Sequence, residues 1–150
     1  MNLDHYKYAT NETFLSFEFD SIGPKGNIRK IVRFSIENDF GITYFNLGFG
    51  DLDPQTGICD DLTVSDNKDR DKILATVANI VVAFTARFPD IMVYAQGSTP
   101  ARTRLYQMGI KTYWNEIEPV FHVFGFHDNS WQPFENNINY SAFFVLRKKS

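Results

Sequence analysis

The stretch Gln96-Gly97-Ser98-Thr99-Pro100-Ala101-Arg102-Thr103-Arg104-Leu105-Tyr106-Gln107-Met108-Gly109-Ile110 reads as the end of a strand, a helix and a helix stop. Ser98 or Thr99 can cap the helix with its hydroxyl, and Pro100 at the first helical position gives up an N–H that has no helical partner there anyway. Gly109 supplies the left-handed residue expected to close the helix after roughly two to three turns. By three-and-four spacing, Ala101, Leu105 and Met108 fall on the side expected to be buried. Arg102 and Tyr106 share another face. Arg104 lies about 200° around from Arg102 at ~100° per residue, so the helix alone cannot bring both guanidinium groups to one ligand.

On the N-terminal side of this block, Ile91-Met92-Val93-Tyr94-Ala95 is a near-continuous apolar run, the pattern of a strand covered on both faces. From Asp69 to Phe88 the period is helical, with Ile73, Val77, Ile80, Val81, Phe84 and Phe88 on a stripe that Leu74, Ala78 and Val82 widen. Lys72, Thr76 and Asn79 form a narrow polar strip, so the helix is expected to be central and partly covered. Four extended segments precede it: Thr13 to Phe19, Ile28 to Ile36, Ile42 to Phe49, and Ile58 to Val64 with Asp60 and Asp61. Turns at Gly23-Pro24-Lys25-Gly26-Asn27, Glu37 to Gly41 and Asp53 to Gly57 separate them. After the arginine helix, Lys111 to Phe126 reads as extended, bent at Pro119. Asp128 to Asn139 reads as a polar, aromatic loop and Tyr140 to Leu146 as a last strand. The order predicts one α+β domain over 1–150, with a mostly antiparallel twisted sheet of about six to seven strands, one long central helix and one short helix.

A chain of 150 residues with 43% hydrophobic and 22% charged content is long enough to bury a full core, and 15 phenylalanines favour extended strands over a coiled coil. The net charge of −3 argues against non-specific nucleic-acid binding. Cys59 is the only cysteine, which excludes an internal disulfide and a cysteine-based zinc cluster and fits a reducing cytoplasm. The longest apolar run, Ile80 to Phe84, falls far below the ~20 residues needed to span a bilayer, and the first residues lack the pattern of a signal peptide. A cytoplasmic protein without membrane contact is expected.

The order of elements resembles the GCN5-related N-acetyltransferase fold without its first two helices. Leu62-Thr63-Val64-Ser65 leading into the long helix is similar to that family's central strand and cofactor-binding helix. Arg104-Leu105-Tyr106-Gln107-Met108-Gly109-Ile110 is similar to its late helix, which implies Tyr106 as the acid that protonates a departing thiolate. The family seats the coenzyme A pyrophosphate on backbone amides of a glycine-rich turn. Here that turn is Ser65-Asp66-Asn67-Lys68-Asp69-Arg70-Asp71, which holds no glycine and adds carboxylates that repel phosphate. The whole chain also resembles a family of small uncharacterised bacterial proteins of similar length. The pieces that carry this likeness are Gly23-Pro24-Lys25-Gly26, Asn46-Leu47-Gly48-Phe49-Gly50-Asp51 and Gly97 to Tyr106, and it implies no activity.

Ser98, Thr99, Arg102 and Arg104 form a candidate anion site, because hydroxyls, helix-start amides and guanidinium groups gather near one helix N-terminus. The other reading of the same residues is an ordinary capped helix whose arginines pair with the acidic segment Asp60 to Asp71. Asp51, Asp53, Asp60 and Asp61 lack the ligand spacing of a calcium loop, and His5, His122 and His127 form no pair at helical ligand spacing, so no metal site is expected. Trp131 and Phe134, aromatic among polar loop residues, are candidate interaction anchors, and at least one of them is expected to be exposed.

Three expectations follow for function. The first is a non-catalytic binding or interaction protein on an acetyltransferase-like scaffold, such as a component of a toxin–antitoxin-type or regulatory pair, with a protein partner or a second copy of itself and no cofactor. The second is a coenzyme A-dependent N-acyltransferase using acetyl-CoA, with Tyr106 as acid and the amides around Asn67 to Arg70 as an atypical phosphate cradle. The third is a binder of a phosphorylated small molecule through Ser98, Thr99, Arg102 and Arg104. The scaffold alone does not choose among them.

Overall fold

The computed structural model describes residues 3–53, 55–60 and 66–149. Among these, nine strands and three helices follow in the order β1 (Ala9–Thr10), β2 (Ser16–Gly23), β3 (Gly26–Asp39), β4 (Ile42–Leu52), β5 (Cys59–Asp60), α1 (Arg70–Arg87), β6 (Val93–Ala95), α2 (Pro100–Thr112), α3 (Trp114–Ile117), β7 (Phe121–His127), β8 (Ser130–Pro133) and β9 (Ala142–Arg147). The architecture is α+β, with one mixed, mostly antiparallel open sheet in the order β1-β2-β3-β4-β6-β9-β7-β8 and β5 paired to β4. The sheet is therefore wider than the six to seven strands expected. The short β1, β5 and β8 have too few residues for a period of two to declare itself.

β2 and β3 meet in a hairpin closed between Gly23 and Gly26, and Gly26 holds φ +86, a value that disfavours any residue with a Cβ. β3 and β4 pair from Lys30↔Asp51 to Asp39↔Ile42. The crossover through α1 brings β6 parallel to β4, over three residue pairs only, Phe45↔Val93 to Leu47↔Ala95. All other ladders are antiparallel. β9 lies between β6 and β7.

Alternation along β2, β3 and β4 sends Phe17, Phe19, Val32, Phe34, Phe45, Leu47 and Phe49 to one side, where they pack with Ile80 and Phe84 of α1. The Phe34 and Phe84 rings stack at 3.8 Å between centroids and 4° between planes. A second cluster gathers Ile117, Phe121, Val123, Phe134, Tyr140 and Phe143. Val81, Tyr106 and Val145 pack against both. No described helix is long and apolar enough to cross a membrane.

Three local expectations are corrected. Gly109 lies inside α2, which runs on to Thr112, and a Cβ there would stand 3.3 Å from Leu74 Cδ2. The missing side chain serves helix–helix approach rather than a left-handed stop. Lys111 to Phe126 is extended only from Phe121, the first part being the end of α2 and the single turn of α3. The buried side of α2 is not Ala101, Leu105 and Met108 but Arg102, Thr103, Gln107 and Gly109. Polar groups are stable there because they are bonded. Gln107 donates from Nε2 to the Ile138 carbonyl at 2.6 Å and accepts the Tyr140 N–H at 2.9 Å. Thr103 Oγ1 accepts the Gly97 N–H at 2.9 Å. The proposed strand Ile58 to Val64 is observed as Cys59–Asp60, and Asp61 and Leu62-Thr63-Val64-Ser65 lie outside the described residues.

Candidate functional site

A cavity of about 1090 Å³ opens where the N-terminal segment, β2–β4, the start of α1 and α2 converge. Its walls are unusually charged, holding Lys30, Lys68, Arg70, Lys72 and Arg102 with Asp4, Asp66, Asp69 and Asp71. Among the described residues that line it there is no histidine or cysteine. Two of the cations are deeply placed, Lys30 at 3% and Arg102 at 4% exposure. Burial of charge demands compensation. Lys30 Nζ is ion-paired to Asp51, its partner across the β3–β4 ladder, and both the Lys30 ammonium and the Arg102 guanidinium flank the Phe49 ring, at 6.0 and 5.1 Å from its centroid.

The start of α1 is built for this wall. Asp69 is the cap residue, yet its side chain makes no bond to its own helix. Instead Oδ2 accepts hydroxyl donors from Tyr6 at 2.6 Å and Ser21 at 2.5 Å. The first-turn amides thus receive no side-chain acceptor from the cap, and the positive end of the helix faces the cavity. Oδ1 of Asp69 is buried and has no hydrogen-bond partner among the described residues. Burial and the bond to Asp69 raise the Tyr6 hydroxyl above its ordinary range. Tyr113 is raised by burial and by Asp71 and Asp4. Lys72 Nζ stands 4.5 Å from the centroid of the Tyr6 ring.

Asn67 fixes the approach to that helix. It is 1% exposed, and its side chain clamps the β2–β3 hairpin. Nδ2 donates to the Gly26 carbonyl at 2.9 Å and to Ser21 Oγ at 3.1 Å, while Oδ1 accepts the Lys25 N–H at 2.7 Å. A Cβ on Gly23 would fall 2.0 Å from the Asn67 carbonyl oxygen, so the hairpin can close on this turn only with glycine there.

Next to the charged cavity lies an apolar chamber of about 100 Å³ between α1, α2 and the sheet. Leu74, Val77 and Tyr106 line both spaces, and Tyr106 is half-buried between them.

The four residues proposed as an anion site are distributed over two recesses. Arg102 points to the charged cavity. Ser98, Thr99 and Arg104 line a separate recess of about 460 Å³ with Gln107 and Tyr140. Thr99 is the helix cap, its Oγ1 accepting the Arg102 N–H at 3.2 Å. Trp131 is 41% exposed on the opposite face of the sheet, in ring contact with Tyr94, Phe126 and Phe144. Phe134 is 8% exposed, packed in the second cluster against Trp114 and Tyr140. Among the described residues no group of three or more His, Cys, Asp or Glu side chains is placed to hold a metal ion.

Lys30 and Tyr6 were not singled out from the sequence, and Asn67 and Asp69 entered it only as part of the glycine-free turn before the long helix. Lys30 alone carried a signal, a cation in the same alternation as Val32 and Phe34. Comparison with known families matches residues 2–148, and the chain belongs to a family of unknown function (DUF6934). No curated protein and no solved structure matches it.

Proposed function

We propose that this member of the DUF6934 family is a binding protein for a small anionic molecule, held in the charged cavity on an acetyltransferase-like scaffold. The observation that carries the reading is the placement of two buried cations, Lys30 and Arg102, in the lining of a cavity that also receives the positive end of α1. An anion entering there meets side-chain charge and backbone amides together.

Isothermal titration with inorganic phosphate tests the reading. The expected result is saturable heat that weakens with salt and is lost in Lys72→Met. At a hundredfold excess over its dissociation constant the ligand should add about 2.7 kcal/mol of stability, a rise in Tm of roughly 5–11 °C. Absence of both signals rejects the site.

A second reading, the coenzyme A-dependent N-acyltransferase, is favoured by one observation, the position of Tyr106 on the cavity wall. It requires a saturable Tm shift with acetyl-CoA and an acyl transfer that Tyr106→Phe abolishes.

A further inference from the structure

We propose that the ligand of the charged cavity is an amphipathic anion whose short apolar tail of roughly three to four carbons enters the adjoining chamber behind Tyr106. This rests on the reading of the charged cavity as an anion site. The two spaces are not independent features, because Leu74, Val77 and Tyr106 form part of the wall of each. Their linings divide by chemistry. One is charged and receives the positive end of α1; the other, apart from Tyr106, is lined by aliphatic and aromatic groups and glycine, including Val81, Val93, Ile110 and Phe143.

Size sets the tail. An apolar cavity of about 150 Å³ lined by similar side chains stays dry and admits benzene, so about 100 Å³ holds something smaller, a propyl or butyl group rather than an aromatic ring. Gly109 contributes to the space by presenting no side chain toward Leu74. Protein interiors are close-packed, and an apolar space of this volume opening beside a polar cavity is the form expected of a two-part ligand site.

The probes are inorganic phosphate and the series of methyl-, ethyl-, propyl-, butyl- and hexylphosphonate, titrated calorimetrically into the wild-type chain. Each methylene that enters the chamber should tighten binding about fourfold, the transfer of about 0.8 kcal/mol per CH₂. The gain should stop at or near butyl and reverse at hexyl. Methyl resonances of Val81 and Val93, which line the chamber and not the charged cavity, should move with butylphosphonate and not with phosphate. Ala78→Leu, which fills the chamber from α1, should flatten the series. If that variant does not fold, the wild-type series and the methyl shifts decide alone. Phosphate binding with affinity independent of chain length overturns the tail and leaves the anion site standing. Failure of every member of the series to bind overturns both.

Discussion

Replacing Asn67 tests whether the turn into α1 is held as described. Its side chain makes three bonds of good length, to Gly26, Ser21 and Lys25, from a position that is 1% exposed. Each contributes about 0.5–1.5 kcal/mol net, so Asn67→Ala should cost about 2–4 kcal/mol. The isosteric Asn67→Asp is more discriminating. It keeps the acceptor for the Lys25 N–H but turns the donor facing the Gly26 carbonyl and Ser21 Oγ into a second acceptor. Burying such an unsatisfied group costs about 1–3 kcal/mol, and more if it is ionised, so a change of one atom should be nearly as damaging as truncation. Urea unfolding followed by circular dichroism would show a lower midpoint with an unchanged slope, and a thermal scan a fall of roughly 4–16 °C for the alanine variant. If Asn67→Asp stayed within about 0.5 kcal/mol of wild type, the amide would not be donating there, and the description of this turn would be refuted.

Burial, and then the bond to Asp69, hold the Tyr6 hydroxyl above its ordinary value, so its protonated form contributes stability that is fully present below pH 10 and is lost as the pH rises through the raised folded value. A Tm–pH profile should therefore fall on the alkaline side more steeply for wild type than for Tyr6→Phe; parallel profiles would contradict this. Gly125→Ala would place a Cβ 2.3 Å from the Tyr140 ring, which should cost about 1–3 kcal/mol in urea unfolding, and a neutral result would mean the ring moves freely. Arg104→Ala, at an exposed site, should change stability by less than about 0.5 kcal/mol, whereas Arg102→Ala should cost more than about 1 kcal/mol in the same assay. Equal effects would contradict the placement of the two side chains.

Where the sequence was read correctly, the signal was a long period. The eighteen residues of α1 and the alternation of Val32, Phe34, Phe45 and Leu47 are each buried on one side, and each announces itself in the order of apolar residues. α2 was readable at its start, because Thr99 and Pro100 act locally. Its orientation was not, since Arg102 and Gln107 are buried by contacts and bonds to Phe49 and Tyr140, partners that lie outside any local window. The same holds for the cavity. Tyr6 and Asp69 meet across 63 residues of chain, and nothing in the neighbourhood of either foretells the other. Thr76, read as part of a narrow polar strip, is fully buried, its hydroxyl accepting the Tyr6 N–H at 2.9 Å.

Both tryptophans, Trp114 in α3 and Trp131 in β8, stand on the β7–β9 side of the short parallel pairing between β4 and β6, while the larger cluster under β2–β4 contains none. Tryptophan emission, excited selectively over tyrosine, therefore watches one half of the molecule, and far-ultraviolet dichroism watches both. If the two optical transitions coincide in denaturant, three residue pairs and the side chains shared between the clusters are enough to make the halves melt as one cooperative unit. If emission changes first, the junction is a fault line, and the β7–β9 half can open while α1 and its strands remain folded.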